Sequence, residues 1–287
     1  SNATISFKAQ DNKAVVRAGK SRFSLSTLPS EDFPDSEGAN YVDEISLPQS
    51  ALKSLLDETS FAMASQDVRY YLNGLLLERE DNILRAVATD GHRLALGSIT
   101  TSSSVAAKSS IIIPRKAIME LGRLLNDSEE NVTIGFSSQQ IKIELPDLHF
   151  TSKLIDGQFP NYERVIPLDG GKEVIADREQ LKQALSRAAI LSNDKHRSVR
   201  INIESGLFKA TVTNQEQETA EEEMTVEYDE APLEVAFNNA YLLDLLNAIP
   251  DDNVKMVFVD DDRRACVLVS PVDKKLERQY VVMAMIL

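Results

Sequence analysis

Apolar residues recur along this chain with two periods, and stretches of the two take turns. Period-two alternation marks Gln140-Ile141-Lys142-Ile143-Glu144-Leu145 and Val199-Arg200-Ile201-Asn202-Ile203. That is the pattern of a strand with one buried and one polar face. Helical spacing follows Pro48 through Leu52, Leu55 and Leu56, and follows Asp177 through Leu181, Ala184 and Leu185. It returns after Ile111-Ile112-Ile113 at Ile118, Leu121, Leu124 and Leu125, and after Val235-Ala236-Phe237 at Leu242, Leu245 and Ile249. A start signal and an apolar lead-in precede each of these four segments, which predicts four helices. Asp90-Gly91, Asp156-Gly157 and Asp169-Gly170-Gly171 predict turns. Residues 100–110, rich in Ser, Thr and Ala, predict a mobile loop, and residues 35–43 an acidic linker.

The order of these elements repeats. Leu52-Lys53 aligns with Leu181-Lys182, and the helix carrying Ile118 aligns with the helix carrying Leu242. Each of the latter pair ends in an acidic turn and a strand, Glu130-Asn131-Val132-Thr133-Ile134 in one copy and Asp252-Asn253-Val254-Lys255-Met256 in the other. A third trace lies at the front. Phe23-Ser24-Leu25-Ser26 leads to Asp32-Phe33-Pro34, as Phe150-Thr151-Ser152-Lys153-Leu154 leads to Asp156-Gly157-Gln158-Phe159-Pro160. The pattern predicts two complete α+β modules, each with two helices packed on antiparallel sheets, preceded by the tail of another. The expected division is a tag remnant at 1–3, a module remnant plus linker at 4–45, and modules at 46–160 and 161–287.

Composition narrows the function. The chain has 287 residues, 43% of them hydrophobic, enough for a sizeable core. No apolar run reaches the length of a membrane span. Ser1-Asn2-Ala3 lacks the basic start of a signal peptide, and the single Cys266 excludes a disulfide within the chain. The cytoplasm is the expected compartment. A net charge of -14 argues against nucleic acid unless basic residues gather on one face.

Catalytic patterns are absent. His92, His149 and His196 have no partner at metal-ligand spacing, and neither a phosphate loop nor a nucleophile elbow occurs. Cys266, in Ala265-Cys266-Val267-Leu268-Val269, reads as a buried inert thiol. Glu221-Glu222-Glu223 and Asp260-Asp261-Asp262 read as solvated charge. From residues alone, a Mg²⁺-dependent hydrolase using those clusters and a protein-interaction scaffold both stay open. The first requires carboxylates converging on one pocket, and the second predicts no basic stripe on a helical face.

A set of segments then points further. Lys20-Ser21-Arg22-Phe23-Ser24-Leu25-Ser26-Thr27-Leu28-Pro29, the run 66–74, Thr89-Asp90-Gly91-His92-Arg93-Leu94-Ala95 and Ile113-Pro114-Arg115-Lys116 are followed by 150–154, Phe159-Pro160, 187–193, 214–222 and Tyr280-Val281-Val282-Met283. In this order the sequence resembles the bacterial DNA polymerase III beta subunits, or beta sliding clamps. The resemblance covers essentially all of the chain after the first three residues. It implies a non-enzymatic processivity factor without cofactor or catalytic residue. Three similar modules per chain and two chains would form a homodimeric ring around double-stranded DNA, with helices lining the hole. The first module would be incomplete here, so these 287 residues alone are expected not to close a ring.

The resemblance also implies residue roles. Gln66, Arg69, Tyr70, Tyr71, Arg115 and Lys116 would face DNA, with Lys53, Arg123, Lys182 and Arg187 adding positive charge on the inner helices. A cleft at the seam of the second and third modules would take short motifs of the DNA polymerase III catalytic subunit, the clamp loader, and other DNA polymerases and repair factors. Its apolar wall would comprise Leu72, Leu94, Pro160, Val165, Val281, Val282, Met283 and Met285. Its rim would comprise Arg69, Thr89, Gly91, His92, Arg93, Arg164, Asn238 and Tyr241. The sequence departs from the family's pattern at Ala284, where Pro is common, at Ile286, where a basic residue is common, and at Arg264, where an apolar one is expected. These bear on motif preference.

Overall fold

The computed structural model describes residues 3–10, 12–33, 41, 43–167, 170–192, 197–259, 265–272 and 277–285, with the backbone alone at 43, 103 and 105–107. Contacts divide the chain into two units, residues 1–40 and 41–287. The first is an antiparallel meander of β1 (Ile5–Gln10), β2 (Lys13–Ala18) and β3 (Ser21–Ser26), closed by a 3-10 turn at Ser30–Asp32. Phe7, Val16 and Phe23 stand in one cross-strand row.

In the larger unit, β4 (Asp43–Pro48) runs into α1 (Gln49–Asp57), and β5 (Gly74–Thr89) and β6 (Arg93–Pro114) run into α2 (Arg115–Leu124). β7 (Asn131–Phe136), β8 (Gln140–Leu145) and β9 (Leu148–Lys153) complete the first half. The second half opens with β10 (Lys172–Asp177) and α3 (Arg178–Ala188). It continues through β11 (Ser198–Glu204), β12 (Leu207–Thr213), β13 (Thr219–Thr225) and β14 (Leu233–Asn238) into α4 (Asn239–Ala248). It ends with β15 (Asn253–Val259), β16 (Cys266–Pro271) and β17 (Arg278–Met283).

The repeat extends to individual hydrogen bonds. Gln49 N donates to Glu130 O at 2.9 Å, and Arg178 N donates to Asp252 O at 2.8 Å. Pro48 pairs with Asn131, and Asp177 with Asn253. The first amide of each helix, which has no partner within it, is thus satisfied by the same neighbouring turn in both halves. Arg115 N bonds Asn73 O at 2.9 Å and Asn239 N bonds Arg197 O at 2.8 Å, a second matched pair. Asp177 and Asn238 also cap their helices through side-chain oxygens, whereas Pro48 and Pro114 occupy the corresponding places with φ near -58°.

The helices bury the expected residues: Leu52, Leu55 and Leu56; Ile118 and Leu121; Leu181, Ala184 and Leu185; Leu242 and Leu245. Each such leucine or isoleucine contributes about 1.5–3 kcal/mol on leaving water, and the alanine less. Leu124 is an exception, since it faces solvent while Leu125, one residue on, is buried.

One expectation is overturned. Residues 100–110 are no loop: β6 runs through them, pairing Thr100 with Ile83, Val105 with Asp81 and Ser110 with Glu78. β5 and β6 pair in two stretches, 74–79 with 109–114 and 83–89 with 94–100, separated by register shifts at Asp81, whose φ is +51°. Thr and Val favour an extended backbone once a partner strand is present, and the composition of the stretch hid that partner. The acidic linker falls largely on residues 34–40 and 42, outside the described residues, as do Asn193, His196, Asp260-Asp261-Asp262, Arg264 and Ile286.

Candidate functional site: the seam between the two halves

The sheet β4-β7-β8-β9 stays within the first half, and β13-β12-β11-β14 within the second. The six-stranded sheet β10-β15-β16-β17-β6-β5 does not, because β17 pairs antiparallel with β6 across the halves. Val281 pairs with Leu94 on one side and with Leu268 on the other, and Leu268 pairs with Val257. In the adjoining row Met283 pairs with Cys266, and Cys266 with Val259. Successive side chains of a strand point to opposite faces, so Val281 and Met283 share a face with Leu94, Cys266 and Leu268. These residues form one apolar cluster, which Tyr71, Phe159, Tyr162 and Ile166 join from neighbouring segments.

The same alternation separates two neighbours. Val282 points to the other face and lies in the main core with Tyr280 and Val267. Leu72 is likewise buried, in a 3-10 turn at Tyr70–Leu72. Near these residues in the chain, Met285, two past Met283, is 43% exposed; Val165, next to Ile166, is 39% exposed; and Pro160, next to Phe159, is exposed. The tail is fixed by its backbone. Met283 N donates to His92 O, Ala284 N to Ala265 O and Met285 N to Ala236 O, at 2.8–2.9 Å. Ala284 keeps the N–H that proline would lack.

The turn above the seam is built from charge. Asp67 accepts from Arg69 N at 2.8 Å, Nε at 3.0 Å and Nη2 at 2.8 Å, and Arg69 Nη2 also reaches Asp90 O at 3.1 Å. These bonds hold the Asp67 carboxyl down at about 2. Gly91 has φ +90°, and a Cβ there would meet the Arg69 guanidinium at 2.9 Å. Thr89 Oγ1 donates to Arg93 O at 2.6 Å and accepts from Gly91 N at 3.1 Å. The His92 side chain is exposed, while its amide donates to Asp90 Oδ1 at 2.9 Å.

Arg93 ties the halves together. Its guanidinium donates to Asp90 Oδ2 at 3.1 Å, to Phe61 O at 2.9 Å and to Asp244 Oδ2 at 2.5 Å, and it lies 4.4 Å from the Tyr241 ring centre. A second tie joins Glu58 to Arg278, whose Nη2 reaches Glu58 Oε1 at 2.9 Å. Arg93 and Tyr241, expected as rim residues, are thus already engaged with each other. Asn238, also expected there, caps α4 by accepting from Ala240 N at 3.0 Å. Arg164 is exposed in a 3-10 turn at Tyr162–Arg164.

The residues expected to face DNA divide. Gln66 is exposed with φ +58°, Tyr70 is 57% exposed, and Lys116 is exposed. Tyr71 instead packs against the seam cluster, edge-on to Tyr70. Arg115 is half-buried and donates to Met63 O at 2.9 Å. Three further expected cations are paired with carboxylates: Lys53 with Asp57, Arg123 with Glu120 and Arg187 with Glu222. The acidic cluster is correspondingly engaged, since Lys209 meets both Glu221 and Glu223. Among the described residues no group of His, Cys, Asp or Glu is placed to hold a metal ion, and no helix is long and apolar enough to cross a membrane.

Sequence reasoning missed Tyr162, Cys266 and Leu268 as seam residues, along with Phe61 and Asp244 as anchors for Arg93. The continuous apolar run 265–269 predicted a buried strand but not which of its residues would share a face with β6, because nothing local encodes a pairing between strands so far apart in the chain.

Repeated α+β modules joined by a shared sheet, with an apolar cluster at the joint, define a modular clamp. Comparison with known proteins gives the family. The central-domain model of the DNA polymerase III beta subunit matches residues 46–161, and the C-terminal-domain model matches residues 163–286. The beta sliding clamp of Pseudomonas putida is 46% identical over 284 residues, covering 99% of this chain and 77% of that protein. That of Escherichia coli is 46% identical over 258 residues, covering 90% and 70%. A crystal structure of the Pseudomonas aeruginosa beta subunit superposes with a TM-score of 0.92 at 47% identity, covering 99% of this chain and 78% of that one. Another from that organism, bound to griselimycin, gives a TM-score of 0.90 at 47% identity. The chain belongs to the DNA polymerase III beta subunit family, the beta sliding clamps. It is a polymerase processivity factor of DNA replication and not an enzyme.

Proposed function

We propose that the seam between the central and C-terminal modules is the cleft that captures short motifs with apolar anchors. The donors of those motifs would be the DNA polymerase III catalytic subunit, the clamp loader, and other polymerases and repair factors. The observation that carries this reading is the pairing of β17 with β6, which lines up Leu94, Val281 and Met283 on one face, with the exposed Met285 following Met283 in the chain and the exposed Val165 adjoining Ile166 of the same cluster. Leu or Phe side chains of a peptide would fill that face, and methionines reshape readily to different occupants. The griselimycin complex of the Pseudomonas aeruginosa clamp supports a ligand-binding role in the family. Calorimetric titration with a pentapeptide bearing Leu and Phe tests it directly. Micromolar, saturable binding is expected, and no heat and no competition would overturn it.

The complete protein is proposed to form a two-chain ring around double-stranded DNA in the cytoplasm, with modules at 46–160 and 161–287 preceded by the remnant at 4–45. These 287 residues alone are proposed not to close it. A light-scattering mass of a stable dimer would contradict that. In the ring, contact with DNA is through backbone charge and carries no sequence preference. Lys116 is the best placed of the expected cations, since it is exposed and has no ion-pair partner among the described residues. Gln66 and Tyr70 would meet the strand near a junction.

A further inference from the structure

The chain has six methionines, and burial sorts them. Met63, Met224 and Met256 are buried in the main core. Met283 is half-buried, and Met119 and Met285 are each 43% exposed. A thioether inside a packed core is shielded from small reagents in water, whereas an exposed one is open to them.

Met285 and Met119 differ in their surroundings. Met283 N donates to His92 O and Ala284 N to Ala265 O, the residues just before β6 and β16. Bonds that go in turn to neighbours on opposite sides are those of an extended chain. Met285 N then donates to Ala236 O, and the two residues form an antiparallel bridge. Alternation along this pinned tail puts the Met285 side chain on the side of Met283, which packs on the apolar cluster of the seam. Met119 stands on α2, outside that cluster.

We propose that Met285 is a reversible oxidation site whose sulfoxide weakens peptide capture at the seam. The inference rests on the seam being the peptide cleft. The oxidant is a hydroperoxide, in the simplest case hydrogen peroxide. The thioether sulfur attacks one peroxide oxygen, so that an S–O bond forms as the O–O bond breaks. The attacked oxygen passes its proton to the departing hydroxide, which leaves as water. Sulfur is oxidised by two electrons and the peroxide is reduced by two. The product carries a polar S–O group where an apolar thioether lay. A Leu or Phe anchor offers that oxygen no hydrogen bond, so contact strips it of water without compensation. The tail keeps its three backbone bonds, since none of them uses a side chain.

The test treats the whole chain with dilute hydrogen peroxide, follows each methionine by peptide mass spectrometry, and measures pentapeptide affinity by calorimetry before and after. Met285 and Met119 are expected to oxidise first, with Met63, Met224 and Met256 protected. Full conversion of Met285 is expected to weaken binding about tenfold. Two methionine sulfoxide reductases, one for each epimer of the sulfoxide, should restore it. Saturating pentapeptide should slow oxidation of Met285 and leave that of Met119 unchanged, because the coupling is reciprocal. Met119→Leu should lose affinity on oxidation as the parent does. Met285→Leu, compared with its own untreated form, should lose less than about twofold. Unchanged affinity after oxidation overturns the switch alone. So does an equal loss in Met285→Leu, or an oxidation rate at Met285 that bound peptide does not slow. Failure of the pentapeptide to bind the untreated chain overturns the seam reading and the switch with it.

Discussion

Arg93 of the central module and Asp244 of the C-terminal module meet at 2.5 Å across the joint, and Arg93 spends its remaining donors on Asp90 and on the Phe61 carbonyl. The residue that shapes the turn above the seam is thus the residue that fastens the modules. Arg93 is 12% exposed and Asp244 is 46% exposed, so the two ends of the pair differ in worth. Arg93→Ala strands Asp90 and the Phe61 carbonyl and is expected to cost about 2–3 kcal/mol. Asp244→Asn should cost about 1 kcal/mol or less. Denaturant unfolding of both variants checks the ranking, and equal losses would mean that Arg93 acts only through Asp244.

Gly91 sits where a side chain does not fit. At φ +90°, with the Arg69 guanidinium 2.9 Å from the place of a Cβ, Gly91→Ala must strain its backbone and push Arg69 away from Asp90. A loss of about 1–2 kcal/mol in stability is expected. Peptide affinity should fall as well, because His92, next in the chain, holds Met283 in place.

Met283 is half-buried, and its amide bond to His92 is independent of its side chain. Met283→Asp should abolish capture of the pentapeptide while leaving the far-ultraviolet dichroism and the melting temperature close to those of the parent. Unchanged affinity by calorimetry would place the peptide elsewhere.

The Asp67 carboxyl is held at about 2 by its hydrogen bonds from Arg69. Because its folded value lies below the ordinary one of 3.8, the order it gives the turn is complete above pH 4 and is lost as pH falls through about 2. Arg69→Ala should return Asp67 to the ordinary carboxylate range in an NMR titration, and an unmoved midpoint would assign the shift to another cause.

Electrostatic contact with DNA should follow pairing rather than position on a helix. Lys116 is exposed, whereas Lys53 is bonded to Asp57 at 2.6 Å. In the full-length clamp, Lys116→Ala is expected to flatten the logarithmic salt dependence of duplex binding by about 0.9. Lys53→Ala should flatten it less, since its removal also frees a carboxylate. The reverse order would contradict this assignment.

Much of this architecture was legible in the sequence, because the physics behind it is local. Helical spacing after Pro48, Pro114, Asp177 and Asn238, strand alternation at 140–145 and 199–203, and the recurrence of both in one order sufficed for the repeated α+β modules. The resemblance located the seam, but the faces of its strands came only with pairing. Val281 and Val282 are indistinguishable as letters, and only the register of β17 against β6 decides which of them joins the seam cluster and which the main core. Partners remote in sequence escaped for the same reason. Nothing near Arg93 announces Asp244, and nothing near Arg115 announces the Met63 carbonyl. The Ser- and Thr-rich stretch at 100–110 misled because a strand's stability resides in its neighbour as much as in its own composition.

The central claim, that one peptide site is made where the two modules share a sheet, is tested most directly by hydrogen–deuterium exchange with and without the Leu- and Phe-bearing pentapeptide. The account predicts slowed exchange concentrated in 89–94, 160–166 and 281–285, drawn from both modules at once. Slowing confined to one module, or centred on the edge strand β13, would contradict it.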